Sequence, residues 1–139
     1  MVSASTSVPC RFGEIYLHTA SASFDLHNCF DFVGFSYDTT TRAARLRWKA
    51  NEYAAAHLPH ILAVEFRGVS HLSATPRYAA RPFLEDLCLT AVGAIEAFEP
   101  TAAGVCSDVP TGWDHVFTFM SGFVLRIGAE SVSLLPNDI

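Results

Sequence analysis

Charge is scarce in this chain. Asp, Glu, Lys and Arg make up 17% of it, against roughly 25% in ordinary soluble domains, while 50% of the residues are hydrophobic. Apolar side chains therefore outnumber the interior positions on offer, and a sticky surface patch serving as a homodimer interface is expected. Long apolar runs are missing as well. The longest stretch without a charged residue, Tyr53 to Val64, contains two His and a Pro, whereas a membrane-spanning helix needs about 20 largely apolar residues. No membrane helix is predicted. The opening MVSASTSVPC has neither the basic nor the apolar segment of a secretory signal. It also lacks the hydrophobic stretch that a lipoprotein signal places before its cysteine, and the chain reads as cytoplasmic.

Cations are in short supply too. Nine Lys and Arg stand against 14 Asp and Glu, a net charge of -5, which argues against nucleic acid and anionic membranes as partners. The imbalance is uneven: residues 1–81 hold 8 cations and 6 anions, and residues 82–139 hold 1 and 8, so one acidic surface is predicted. Cys10, Cys29, Cys88 and Cys106 form no Cys-x-x-Cys pair, which argues against a zinc ribbon or a thioredoxin-like site and leaves free thiols in a reducing compartment. There is no Gly-x-Ser-x-Gly elbow and no glycine-rich phosphate loop. No catalytic, cofactor-binding or metal-binding residue is assigned on these grounds, and no cofactor is expected.

What is present is alternation. A chain of 139 residues reads as one domain, residues 1–139, able to bury roughly two thirds of its unfolded surface. In RAARLRWK, Ala44, Leu46 and Trp48 alternate with Arg45, Arg47 and Lys49, the pattern of a strand with one wet face. GEIYLH alternates in the same way. HILAVEFRGVSHLS runs from Leu62, Val64 and Phe66 through Gly68 to Leu72, with Ile61 and Ala63 making its start apolar on both faces, so a central strand is predicted. In HVFTFMSGFVLRIGAESVSLL, Ser121-Gly122 reads as a two-residue hairpin turn. Phe117 and Phe119 share a face before it, and Phe123, Leu125 and Ile127 share one after it. Beyond Gly128 the apolar phase moves to Val132 and Leu134, which calls for a bulge at Gly128 or a tight turn at Ala129-Glu130.

Two segments are less plain. In Leu84 to Phe98, Leu84, Leu87, Cys88, Ala91, Val92, Ile95 and Phe98 recur at helical spacing, yet Leu87, Leu89 and Ala91 alternate and Gly93 weakens a helix by about 1 kcal/mol. Periodicity taken alone slightly prefers helix there. Glu99 to Asp114, rich in Gly, Pro, Ser and Asp, reads as a long loop, and NEYAAAHLPH as a connection.

The stretch FDLHNCFDFVGFSYD carries the densest chemistry. Read as extended, it puts Asp25, His27, Cys29 and Asp31 on one face and Leu26, Phe30 and Phe32 on the other. The apolar set then switches to Val33, Phe35 and Tyr37 across a bulge at Gly34. His27 with Asp25 or Cys29 supplies two ligand types for zinc, and His57, His60, His71 and His115 are the other imidazoles. Neighbours on one strand face stand about 6 to 7 Å apart and do not readily converge on one ion, so a solvated strand face is the preferred reading. Cys88 with His71 could form a thiol–imidazole pair, though inert thiols are commoner, and Glu85-Asp86 a carboxylate pair, though consecutive acids after a Pro are more often a solvated turn or helix start. Arg42, Arg45, Arg47 and Lys49 form a basic stripe that could grip an oxyanion. The preferred reading is a wet strand face whose cations pair across to acids on a neighbour. Trp48 belongs to the core, and Trp113 is the better candidate for an exposed contact.

In order along the chain, FDLHNCFDF, LRW, VEFRGVSHLS and FTFMSGFVLRIGAESVSLL resemble a group of small bacterial β proteins, some of which are similar to the immunity proteins of polymorphic toxin systems. The likeness lies in strand patterns and carries no site residues. It implies a strand at Leu84 to Phe98 and action by binding, for which the acidic second half would suit a basic partner such as a toxin nuclease. These readings together predict a mainly β domain, an antiparallel sandwich or partly open barrel of about seven to nine strands with at most one short helix. The predicted function is non-catalytic protein binding. The alternatives are a small apolar ligand held in a barrel lined by some of the eleven Phe, or a metal-dependent hydrolase built on Asp25 and His27.

Overall fold

The structure, a computed structural model, describes residues 6–96 and 109–136. The alternation that marks RAARLRWK builds the centre of its largest sheet. Strand β6 (Ala43–Ala50) turns Ala44, Leu46 and Trp48 inward, all fully buried. They stand opposite Phe66, Val64 and Leu62 of β7 (Ile61–Arg67). Strand β5 (Phe30–Asp38) flanks β6 on the other side, while β12 (Ser131–Leu134) and then β1 (Val8–Pro9) extend the sheet beyond β7. The expected central strand is therefore central. A second antiparallel sheet runs β8 (His71–Thr75), β11 (Val124–Gly128), β10 (Trp113–Phe119) and β9 (Leu89–Glu96). A third and smaller one joins β2 (Arg11–Gly13), β3 (Tyr16–His18) and β4 (Ser23–Asp25). Among the described residues no sheet closes into a barrel.

The described residues hold twelve strands, more than the number expected. The surplus lies at the start of the chain, where β1 to β4 are two or three residues long, too short for alternation to show. Within Leu84 to Phe98, Phe83–Leu87 is a 3-10 helix and Leu89–Glu96 is a strand; residues 97 and 98 lie outside the described residues, as does most of the expected loop Glu99 to Asp114. Val92, Gly93, Ala94 and Ile95 are all buried, because β9 packs on the core with one face and is bridged at Val92 by Glu14. Burial on both faces erases the alternation that would have distinguished strand from helix. NEYAAAHLPH is a connection, as expected.

The long apolar strand expected from His60 to Ser73 is cut at Gly68, whose φ of 65° is left-handed. There the chain leaves the first sheet as β7 and enters the second as β8. It crosses back at Ala129 and Glu130, between β11 and β12. The crossings are tied together: Ser70 N donates to Gly128 O and Glu130 N donates to Arg67 O, at 2.8 and 2.9 Å. This crossing is why the apolar phase shifts after Gly128, since residues before it serve one sheet and residues after it the other. Over the crossing lies Asp114 of β10, 3% exposed, with its Oδ2 2.7 Å from Arg126 Nε. The β10–β11 hairpin forms as expected, but Phe119 and Phe123 close a three-residue loop, Met120 to Gly122, with Gly122 at φ 90°.

Aromatic rings join the sheets. Phe12 of β2 lies 6.0 and 6.1 Å, centroid to centroid, from Trp48 and Phe66 of the first sheet, and 5.7 and 5.0 Å from His115 and Phe117 of the second. Phe32 and Phe119 meet across the sandwich at 4.7 Å. Phe12, Phe24, Phe30, Phe32, Phe66, Phe117 and Phe119 are buried and fill the space between the sheets.

Candidate functional site

The stretch Phe24 to Asp38 is not one strand. Strand β4 ends at Asp25 and a turn occupies Leu26 to Cys29, because the Asp25 carboxylate accepts hydrogen bonds from the His27 and Asn28 amides at 3.0 and 2.8 Å and from Asn28 Nδ2 at 2.8 Å. An Asp that caps the two residues ahead of it makes a turn. Asp25, His27, Cys29 and Asp31 consequently do not share a strand face. His27 Nδ1 lies 2.7 Å from Leu89 O, Cys29 Sγ faces Tyr53 O, and Asp31 accepts from Asn51 Nδ2. Among the described residues no three His, Cys, Asp or Glu side chains come close enough to hold a metal ion. The bulge lies where the glycine suggested, between Phe32 and Gly34. Val33 is the extra residue, and Phe35 and Tyr37 return to the inner side opposite Leu46 and Ala44.

The thiol that meets an imidazole is Cys88, and its neighbour is His27, not His71: Cys88 Sγ stands 3.4 Å from His27 Nδ1. That nitrogen already faces a carbonyl, which can only accept, so it carries the proton and is no base for the thiol. Burial raises the Cys88 thiol, and the charges of Asp31 and Glu85 raise it further. A second pair, Cys10 and His115, shares a concavity of about 300 Å³ with Trp113 and Pro110. Burial pushes Cys10 up to about 12 and His115 down to about 4, the latter against the opposing charge of Asp114. Neither thiol has the lowered pKa of an activated nucleophile.

His115 instead makes the fold sensitive to acid. Its ring sits between Phe12, Phe66 and Phe117 at 5.7, 5.1 and 6.1 Å. The folded protein refuses a proton that the unfolded chain accepts near 6.5. Its neutral form thus favours the folded state fully above about pH 6.5, and the advantage is lost as the pH falls toward 4. Urea titrations are expected to show stability falling by about 2 kcal/mol between pH 7 and pH 5, with His115→Leu flattening that part of the profile.

Glu85 and Asp86 are ion-paired. Arg81 Nε lies 2.9 Å from Glu85 and Arg77 Nη1 2.9 Å from Asp86, while Ser121 Oγ donates to Asp86. With Tyr78 N bonded to Ser121 O and Arg81 Nη2 to Met120 O, these contacts pin residues 77–87 onto the hairpin loop. The acids of the second half are thereby partly offset: Glu85 and Asp86 meet cations of the first half, and Asp114 meets Arg126 inside. The pinned segment is apolar and uncovered. Tyr78 is 70% exposed, Phe83 67% and Leu84 64%, with Leu87 and Met120 beside them at 38% and 42%. Periodicity placed Leu84 and Leu87 on an apolar face. The signal it missed was the flanking pattern Arg77, Arg81, Glu85, Asp86, which marks a segment held by its charges.

The outer face of the five-stranded sheet carries the basic stripe. Arg45 pairs across to Glu65 of β7 as expected, Nε to Oε2 at 2.9 Å, and Arg67 Nε meets the other oxygen at 2.5 Å. Burial alone would raise Glu65; the hydrogen bonds and charges of Arg67 and Arg45 outweigh it and hold the carboxyl below its ordinary value. Arg47, facing Ala63, makes no such bond among the described residues. Around them Ser36, Tyr37, Asp38, Thr39 and Thr41 wall an open groove of about 930 Å³. Trp113 is half-buried at the start of β10.

Compared with protein-family models, curated proteins and solved structures, the chain shows no significant match to any of them.

Proposed function

We propose that this chain is a non-catalytic protein-binding domain whose contact surface is the apolar shelf of Tyr78, Phe83, Leu84, Leu87 and Met120. The observation that carries the reading is the combination of exposure and anchorage. Large apolar side chains stand out of a segment fixed by two ion pairs and backbone bonds to the hairpin, so little ordering entropy is left to lose on docking. Aromatic and aliphatic anchors on a fixed frame, ringed by Arg, are what interface centres are made of. Toxin neutralisation in the cytoplasm of a bacterium, against a basic partner, is the sharpest form of this reading and is supported by the resemblance alone. A homodimer would use the same shelf.

The double replacement Phe83→Asp with Leu84→Asp separates the outcomes. Both positions are exposed, so the thermal midpoint should stay within a few degrees of wild type. Self-association measured by sedimentation, or calorimetric binding to a purified toxin-like protein encoded beside this chain, should fall by about a hundredfold. A wild type that is monomeric at all concentrations and binds that neighbour no better than the variant does would overturn the reading.

A further inference from the structure

The geometry points to a second binding surface, on the outer face of the five-stranded sheet, for an extended acidic segment of a partner protein with carboxylates at alternate residues. It uses none of the shelf residues and stands whether or not the shelf has a partner.

Asp38, Ala43, Arg67 and Ser131 lie abreast on the outer face; the next row holds Ser36, Arg45, Glu65 and Ser133, and the one after it Gly34, Arg47 and Ala63. One Arg thus stands in each of three successive rows. Rows on one face of a sheet repeat about every 6 to 7 Å, the spacing of alternate side chains in an extended peptide. Between the Arg residues the groove is lined by the short side chains of Ser36 and Ala43, so a backbone can come close.

Glu65 sharpens this surface. Its side chain is 5% exposed and both oxygens are taken by Nε atoms, of Arg45 and Arg67, so the terminal nitrogens of both guanidiniums have no acceptor among the described residues. One carboxylate offsets one of the two cations and fixes the direction of both. Arg47 adds a charge that no ion pair offsets among the described residues. The Asp38 carboxylate on the rim is turned to the Thr40 and Thr41 amides. Guanidinium ends held in place and aimed outward are suited to bidentate capture of carboxylates.

The test is fluorescence anisotropy with a labelled Glu-Ser repeat peptide, against a peptide of the same composition with its Glu in one block, a single-stranded oligonucleotide and inorganic phosphate as competitors. The alternating peptide should bind saturably at low salt and more weakly as salt rises. Arg47→Ala should weaken binding roughly tenfold with an unchanged thermal midpoint, since Arg47 holds no side-chain partner among the described residues. Glu65→Gln removes a negative charge from the surface yet should weaken binding, because it releases the two guanidiniums. The proposal falls if the peptide does not bind, if Arg47→Ala is silent, if Glu65→Gln in its folded form binds more tightly, or if the block peptide, oligonucleotide or phosphate binds as well.

Discussion

Replacing Gly128 by alanine is expected to lower stability by about 3 kcal/mol. The position is not demanding in its backbone; the space is what is lacking. An alanine Cβ would come well inside van der Waals contact distance of Asp114 Oδ1 and crowd its Cγ at 2.9 Å, with Ser70 Oγ 3.2 Å away. Asp114 cannot yield cheaply, because its other oxygen holds Arg126 Nε at 2.7 Å in a pair whose side chains are 5% and 15% exposed. Parting a buried pair costs on the order of 3 to 5 kcal/mol when a charge is left without its partner. Thermal denaturation should show a midpoint lower by roughly 10 °C. The mechanism has its own check in additivity. Asp114→Ala should cost as much by itself, and adding Gly128→Ala to it should cost little more, since the carboxylate that the methyl group strikes has gone. Strict additivity would mean that the damage is done elsewhere.

Phe12→Ala is expected to cost about 4 kcal/mol, within the usual span for truncating a buried Phe, and to do so unevenly. Phe12 is fully buried and is the ring through which the three-stranded sheet touches both larger ones. Hydrogen exchange should accelerate in Arg11–Gly13 and Tyr16–His18 well before it does in Ala43–Ala50. The same cavity would admit water beside His115, whose pKa of about 4 comes chiefly from burial. An NMR titration of the variant should therefore find that imidazole moved back toward 6.5. Loss of stability with no change in the His115 titration would show that the cavity had collapsed.

Much of the architecture could be read along the chain wherever one face of a strand is wet. Arg45, Arg47 and Lys49 against Ala44, Leu46 and Trp48 fixed β6, and Leu62, Val64 and Phe66 fixed the inner side of β7. The hairpin was visible in its phenylalanines and in Gly122. Legibility failed where one of three physical conditions removed the alternation. Strands β2 to β4 are too short to show a period. Strand β9 is covered on both sides. At Asp25 to Asn28, side chain to backbone hydrogen bonds override a hydrophobic pattern that continues across the turn. DLHN carried that turn signal in its Asp and Asn, but the alternation of Phe24, Leu26, Phe30 and Phe32 masked it. The binding surfaces were harder still. The Arg stripe could be seen, but the burial of Glu65 between Arg45 and Arg67 depends on the register of β6 with β7, which no local pattern displays. The shelf depends on Arg77 and Arg81 reaching acids that lie beyond it in sequence.

The paired crossings at Gly68 and Ala129 have a consequence for biosynthesis. Strand β12 sits between β7 and β1, with Leu134 beside Val8, and β11 sits between β8 and β10. While the chain is being made, β7 must wait for a neighbour 64 to 70 residues further on, and β8 for one 49 to 57 residues further on. Until Ser131 to Leu134 clear the ribosome, the greasy sides of both incomplete sheets remain open to chaperones or to other nascent chains.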